Sequence, residues 1–129
     1  MRILQPKDWA QPKGYANGTM AAGRMVFVAG QIGWDAQQVF HAHDLAGQFE
    51  QVLHNTLAIL AEAGARPQHI ARMTWYVTDI EAYRRAAPEL GAIYRKLIGR
   101  HYPAMAVLEV AGLVEREALI EIETTAVIP

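Results

Sequence analysis

Few residues in this chain have the type and setting to do chemistry. Glu109 and Glu121 stand within apolar, strand-like segments, where a carboxylate needs a reason to be present. In a partly dry cleft a carboxyl group has its pKa raised and can orient water or shuttle a proton. The same group can instead point outward, or toward a subunit interface, and pair with Arg. Glu109 is read as such an outward pair, and Glu121 stays open between the two roles. Glu121 and Glu123 share one face of a strand and repel unless one of them is paired. Of the five His, His41 and His43 could place two imidazoles on one side of an extended segment. No third ligand has matching spacing, so that segment reads as a loop entering a helix cap. His54 falls on the solvent side of a helix, and His69 and His101 stand near element ends, where exposed His is ordinary. Trp34 and Trp75 could line an apolar ligand pocket or fill a core or interface.

Several chemistries are excluded outright. The chain has no Cys and no Ser, so thiolate sites, disulfides and Ser-based triads cannot form. Neither glycine-rich phosphate motif occurs. In 129 residues, 12 Lys and Arg face 13 Asp and Glu, which lacks the basic footprint of a general nucleic-acid binder. An apolar share of 52% with 19% charged residues speaks for a folded domain rather than disorder. No apolar run approaches the ~20 residues that span a bilayer. The N-terminus lacks a signal-peptide core, so a soluble, cytoplasmic single domain over residues 1–129 is expected.

The elements that must position these residues follow from hydrophobic period. Residues 1–13 read as an irregular arm. A short strand over 15–20 and the apolar run Met25–Ala29, closed by Gly30, are expected to form a hairpin. Residues 31–42 read as a loop. Asp44 can cap a helix whose stripe is Leu45, Phe49, Val52, Leu53, Leu57 and Leu60, with Gly64 as left-handed stop. Ile70 to Val77 reads as a strand. Thr78-Asp79-Ile80-Glu81 opens a second helix, which Pro88 should kink or restart and Gly99 should end. Strands near 104–111 and 118–127 close the chain. The order β-β-α-β-α-β-β predicts an α/β two-layer sandwich, one mixed sheet with two helices on one face. Met73, Trp75, Val107 and Val110 would make the other sheet face unusually apolar, which predicts an oligomer.

Six segments in register resemble the RidA family, also called YjgF or L-PSP, along nearly the whole chain. They are Gly14-Tyr15, Val26 to Ile32, Leu57 to Ala65, Met73 to Asp79, Tyr102-Pro103-Ala104-Met105 and Leu119 to Glu123. The resemblance implies a chorismate-mutase-like fold. It also implies a homotrimer with sheets around a barrel-like centre, ligand clefts between subunits and no metal or organic cofactor. Enzymes of the family hydrolyse reactive enamines and imines, such as 2-aminoacrylate, to ketoacids and ammonia. Their Arg after Pro-Ala clamps the substrate carboxylate, and a Glu on the last strand holds the attacking water.

Carried onto this chain, Tyr15, Gly30 and Glu121 match cleft positions, with Glu121 as the catalytic residue. The clamp position holds Met105, and Ala29 stands where a Ser is usual. The chain thus resembles the subfamilies that lack the Arg. Met105, Val107 and Trp34 together suggest a less polar ligand, aromatic or extended. The resemblance therefore implies an enamine or imine deaminase acting on a substrate without a clamped carboxylate. A second function stays open: a non-catalytic trimer that binds a small molecule as sensor or scavenger. Ribonuclease activity, a label some members bear, is disfavoured by the neutral charge. No nucleic-acid or membrane partner is expected.

Overall fold

The computed structural model describes residues Met1–Pro129. Along the chain run β1 (Arg2–Leu4), β2 (Gly18–Met20), β3 (Arg24–Ile32), α1 (Leu45–Glu62), a 3-10 turn (Pro67–His69), β4 (Ile70–Val77), α2 (Ile80–Leu97), β5 (Ala104–Glu109) and β6 (Ile120–Ile128). Four strands form the main sheet in the order β3-β6-β4-β5. β6 is antiparallel to both β3 and β4, and β5 is parallel to β4. Each helix therefore crosses between parallel strands, α1 from β3 to β4 and α2 from β4 to β5. This is the predicted two-layer α/β sandwich with both helices on one face.

Local chemistry sets the helix ends. The Asp44 carboxylate accepts from the Gly47 N–H, and Gly64 takes φ +73° just after α1. Asp79 accepts from the Glu81 and Ala82 N–H groups, and Glu109 accepts from the Ile80 N–H at 3.0 Å. Glu109 thus caps a helix instead of pairing with Arg. α2 runs unbroken through Pro88, which leaves the Arg84 carbonyl without its helical donor.

The expected hairpin does not form. β2 pairs with β1, so the arm contributes a strand, and β3 pairs with β6. The turn at Ala22-Gly23 is used otherwise: Gly23, at φ +146°, lets the backbone pass against the Ile128 carbonyl. The Thr19 hydroxyl ties the small sheet to β4 by donating to the Ala71 carbonyl at 2.7 Å. β3 also does not stop at Gly30. It passes through a bulge between Val28 and Gln31 and ends at Ile32.

The core lies between sheet and helices, around Phe49, Leu53, Leu60, Ile70, Met73 and Ile122. Met73 and Trp75 are buried there, and Val107 packs against it. These residues therefore do not make the second sheet face apolar, as the sequence suggested. Both faces of β4 alternate as expected, but the helices claim the bulkier apolar set because it removes more area from water. The open face instead carries Arg72, Thr74, Tyr76, Glu121, Glu123 and Thr125. Its large apolar members are Met25, Phe27 and Leu108, which are 59%, 72% and 41% exposed. No helix is long and apolar enough to cross a membrane.

Candidate functional site

Trp34 apart, the predicted site residues fall into two groups on opposite sides of the sheet. The first lines a cavity of about 510 Å³ between α2, β5 and the Gly14-Tyr15 loop. Tyr15, Trp75, Tyr83, Tyr94, Met105 and Val107 form its walls. The loop is held in place by the Ala16 N–H, which donates to the Pro103 carbonyl at 2.9 Å. Trp75 anchors an aromatic cluster. Its ring centre lies 4.9 Å from Phe49, 6.3 Å from Tyr83 and 6.4 Å from Tyr94. Tyr102 stacks on Tyr94 at 5.5 Å. The Tyr94 hydroxyl donates to the His101 carbonyl at 2.6 Å, which fixes this wall. Burial raises the pKa of the Tyr83 and Tyr94 phenols above the ordinary 10.0, so both stay neutral donors.

The second group sits on the open face. The bulge of β3 places Ala29 and Gly30 opposite β6, and Gly30 abuts the Glu121 carboxylate. A Cβ at position 30 would lie 2.7 Å from the Glu121 carboxyl carbon, so only glycine allows this approach. Glu121 is half-buried and has no hydrogen-bond donor within the chain. Its neighbour Glu123 is occupied: the Tyr76 hydroxyl donates to it at 2.5 Å. That bond, more than burial, raises the Tyr76 pKa. The mutual repulsion of Glu121 and Glu123 is thus relieved on one side only. A shallow hollow beside them is bounded by Tyr76, Val110 and the exposed Leu113-Val114 loop.

Trp34 belongs to neither group. It packs on Phe40 at 5.8 Å, and its carbonyl accepts from the Asn55 side chain. His41 pairs with Asp35 at 2.7 Å, and this hydrogen bond lowers the Asp35 pKa. His43 lies 3.9 Å from Glu117. His69 and His101 are half-buried and bonded rather than free: His69 Nδ1 accepts from the Arg66 N–H, and His101 Nε2 meets the Ile70 carbonyl at 2.7 Å.

Sequence reasoning missed Gln48. It is fully buried on α1, donates to the Ala42 and Glu117 carbonyls, and accepts from the Leu119 N–H at 2.8 Å. It thereby fixes the entry to β6, two residues before Glu121. A polar residue beside the apolar stripe of a helix, flanking Phe49, was the available signal.

Fold and site together define a two-layer α/β protein with an aromatic cavity at one sheet edge and a lone carboxylate over a glycine bulge on the far face. The family model for Endoribonuclease L-PSP matches residues 8–128. The chain belongs to that family, the RidA group indicated by its motifs. A RutC family protein from Synechocystis is 30% identical over 131 residues, covering 100% of this chain and 98% of that relative. A 2-iminobutanoate/2-iminopropanoate deaminase from Salmonella typhimurium is 33% identical over 108 residues, covering 81% of this chain and 80% of the enzyme. Among solved structures, the Rid-family protein YyfB from Yersinia pestis superposes with a TM-score of 0.82. It is 31% identical and covers 98% of each chain.

Proposed function

We propose that this protein hydrolyses an enamine or imine and releases ammonia, acting on a substrate whose carboxylate is not held at position 105. The observation that carries this reading is Glu121, a half-buried carboxylate without a donor, set against Gly30. Water placed between such a group and a C=N carbon adds to that carbon as Glu121 takes one of its protons. Return of that proton to nitrogen gives a carbinolamine; passage of its hydroxyl proton to nitrogen, again by way of Glu121, then breaks the C–N bond, expels ammonia and leaves a carbonyl, so the overall change is imine plus water to carbonyl plus ammonia. The deaminase relatives support the reaction class.

Within one chain the sheet separates Glu121 from the cavity that holds Tyr15 and Met105. The outer edge of β5 is paired only at the Ala16–Ala104 bridge, and Met25 and Phe27 leave an apolar patch on the Glu121 face. A second copy can bring the two groups together. We therefore read the working form as a homotrimer, with each cleft built from Tyr15, Met105 and Val107 of one protomer and Gly30 and Glu121 of its neighbour. No cofactor enters this chemistry.

The test is ammonia release from freshly generated imines of varied polarity. Wild-type turnover should fall about 100-fold or more in Glu121→Ala, the scale of a lost general acid–base group. No release above buffer from any imine would overturn the reading. Met105 favours a second one, since a thioether cannot bind a carboxylate and a trimer could simply hold a ligand. That reading expects thermal stabilisation by a metabolite recovered unchanged.

A further inference from the structure

We infer that the cavity takes an aromatic carboxylate, and that Arg95 on α2 supplies the cation that Met105 does not. The inference rests on the cavity of the proposed function but not on the Glu121 chemistry.

The wall and the rim of this cavity differ in character. The wall is aromatic, with Trp75, Tyr83 and Tyr102 around Met105. The rim carries two cations, Lys13 and Arg95, and no lining residue is acidic. Neither cation has a carboxylate within ion-pair distance, although Arg84 and Lys96 of the same helix both do. An aromatic cage that recognises a cation would not carry this rim, because like charges at the mouth repel the ligand. A flat ring between the aromatic walls with an anionic group at the mouth satisfies both parts.

Gly91 explains how Arg95 reaches the mouth. Glycine inside a helix is unfavourable, and α2 has one facing the cavity. A Cβ at position 91 would lie 3.3 Å from Arg95 Nη1, so the guanidinium folds back one turn over Gly91 and a side chain there would crowd it. A locally unfavourable residue at a cavity wall is expected where function requires the space. The guanidinium offers paired N–H groups to a carboxylate, which a thioether cannot. Substrates would then be imines of aromatic ketoacids, with the ring in the cavity and the carboxylate held at the rim.

The test measures binding and needs no turnover. Phenylpyruvate and indole-3-acetate are titrated against intact protein by calorimetry and Trp fluorescence, beside the matched neutral amides and the aliphatic 2-oxobutyrate. Both aromatic carboxylates should bind at least ten-fold more tightly than their amides and than 2-oxobutyrate. Arg95→Gln should erase the preference over the amides. Gly91→Ala should raise thermal stability yet weaken carboxylate binding several-fold, a combination that a folding defect cannot produce. Equal binding of carboxylate and amide, a preference that survives Arg95→Gln, or no binding by any aromatic acid would overturn the inference. Repeating the titration in Glu121→Gln separates the two claims. Unchanged binding there upholds the rim whatever becomes of the deaminase reading, and abolished binding would show that the rim is not what holds the ligand.

Discussion

The two sides of the sheet handle water differently. On the helix side, Trp75, Tyr94 and Met105 make an apolar wall whose polar groups are few. On the open side, Gly30, Glu121, Glu123 and Tyr76 present charge and hydrogen bonds beside the exposed Phe27. One side holds a preformed aromatic cavity. The other is an uncovered set of polar groups. On the proposed reading, the division means that a complete site needs more than one chain, because the sheet stands between the cavity and Glu121.

Truncations on the two sides should differ most in stability. Trp75→Ala removes the centre of the aromatic cluster and should cost about 3–5 kcal/mol, read by urea denaturation. Phe27→Ser on the open face should leave the folded monomer within about 1 kcal/mol and weaken self-association instead. A large stability loss from Phe27→Ser in dilute protein would erase the distinction. Gln48→Leu should cost roughly 1–3 kcal/mol, because two carbonyls and one N–H at the entry to β6 lose their partners. It should also lower turnover more than stability alone explains, since Glu121 follows that entry.

Met105→Arg sharpens the comparison from the binding side. Restoring a guanidinium on β5 should improve use of 2-aminoacrylate by roughly 10- to 100-fold, the scale of one charge-assisted hydrogen bond. Ammonia release measured at low substrate reads this directly. No gain in a folded protein would show that the cavity differs by more than one residue.

The smallest effects are in titration. Tyr83 and Tyr94 have raised pKa values in the folded state, so above pH 10.0 the unfolded chain loses protons that the folded chain keeps. Their contribution to stability is complete below pH 10.0 and should be lost as the pH rises beyond it toward the folded values. Tyr76 is raised for another reason, its bond to Glu123. Glu123→Gln should therefore return Tyr76 toward its ordinary value and leave Tyr94 delayed, as phenolate absorbance would show.

Much of this arrangement was legible in the sequence. The helix stripes, the cap at Asp44, the strand at Ile70–Val77 and the alternation that puts Glu121 and Glu123 together all follow from short-range period and capping chemistry, whereas the capping box read at Thr78 to Glu81 gives way to a cap by Asp79. The failures share a cause. The pairing of β3 with β6 rather than β2, and the burial of Met73 and Trp75 beneath the helices, depend on contacts between distant segments. Gly30 gave a real signal, but a glycine in a strand does not say whether the strand ends or bulges. Gln48 and the capping role of Glu109 were hidden for the same reason, since their partners lie 69 and 29 residues away.

The central claim is that ligand wall and reacting carboxylate come from different protomers. Subunit mixing tests it. Glu121→Gln and the cavity-filling Met105→Trp are each expected to be inactive as pure assemblies. Unfolded together and refolded as an equimolar mixture, they should recover about one quarter of wild-type sites, where an intact wall meets an intact carboxylate across an interface. Ammonia release that stays at the level of the two parents, in mixed trimers verified by native mass spectrometry, would contradict the claim.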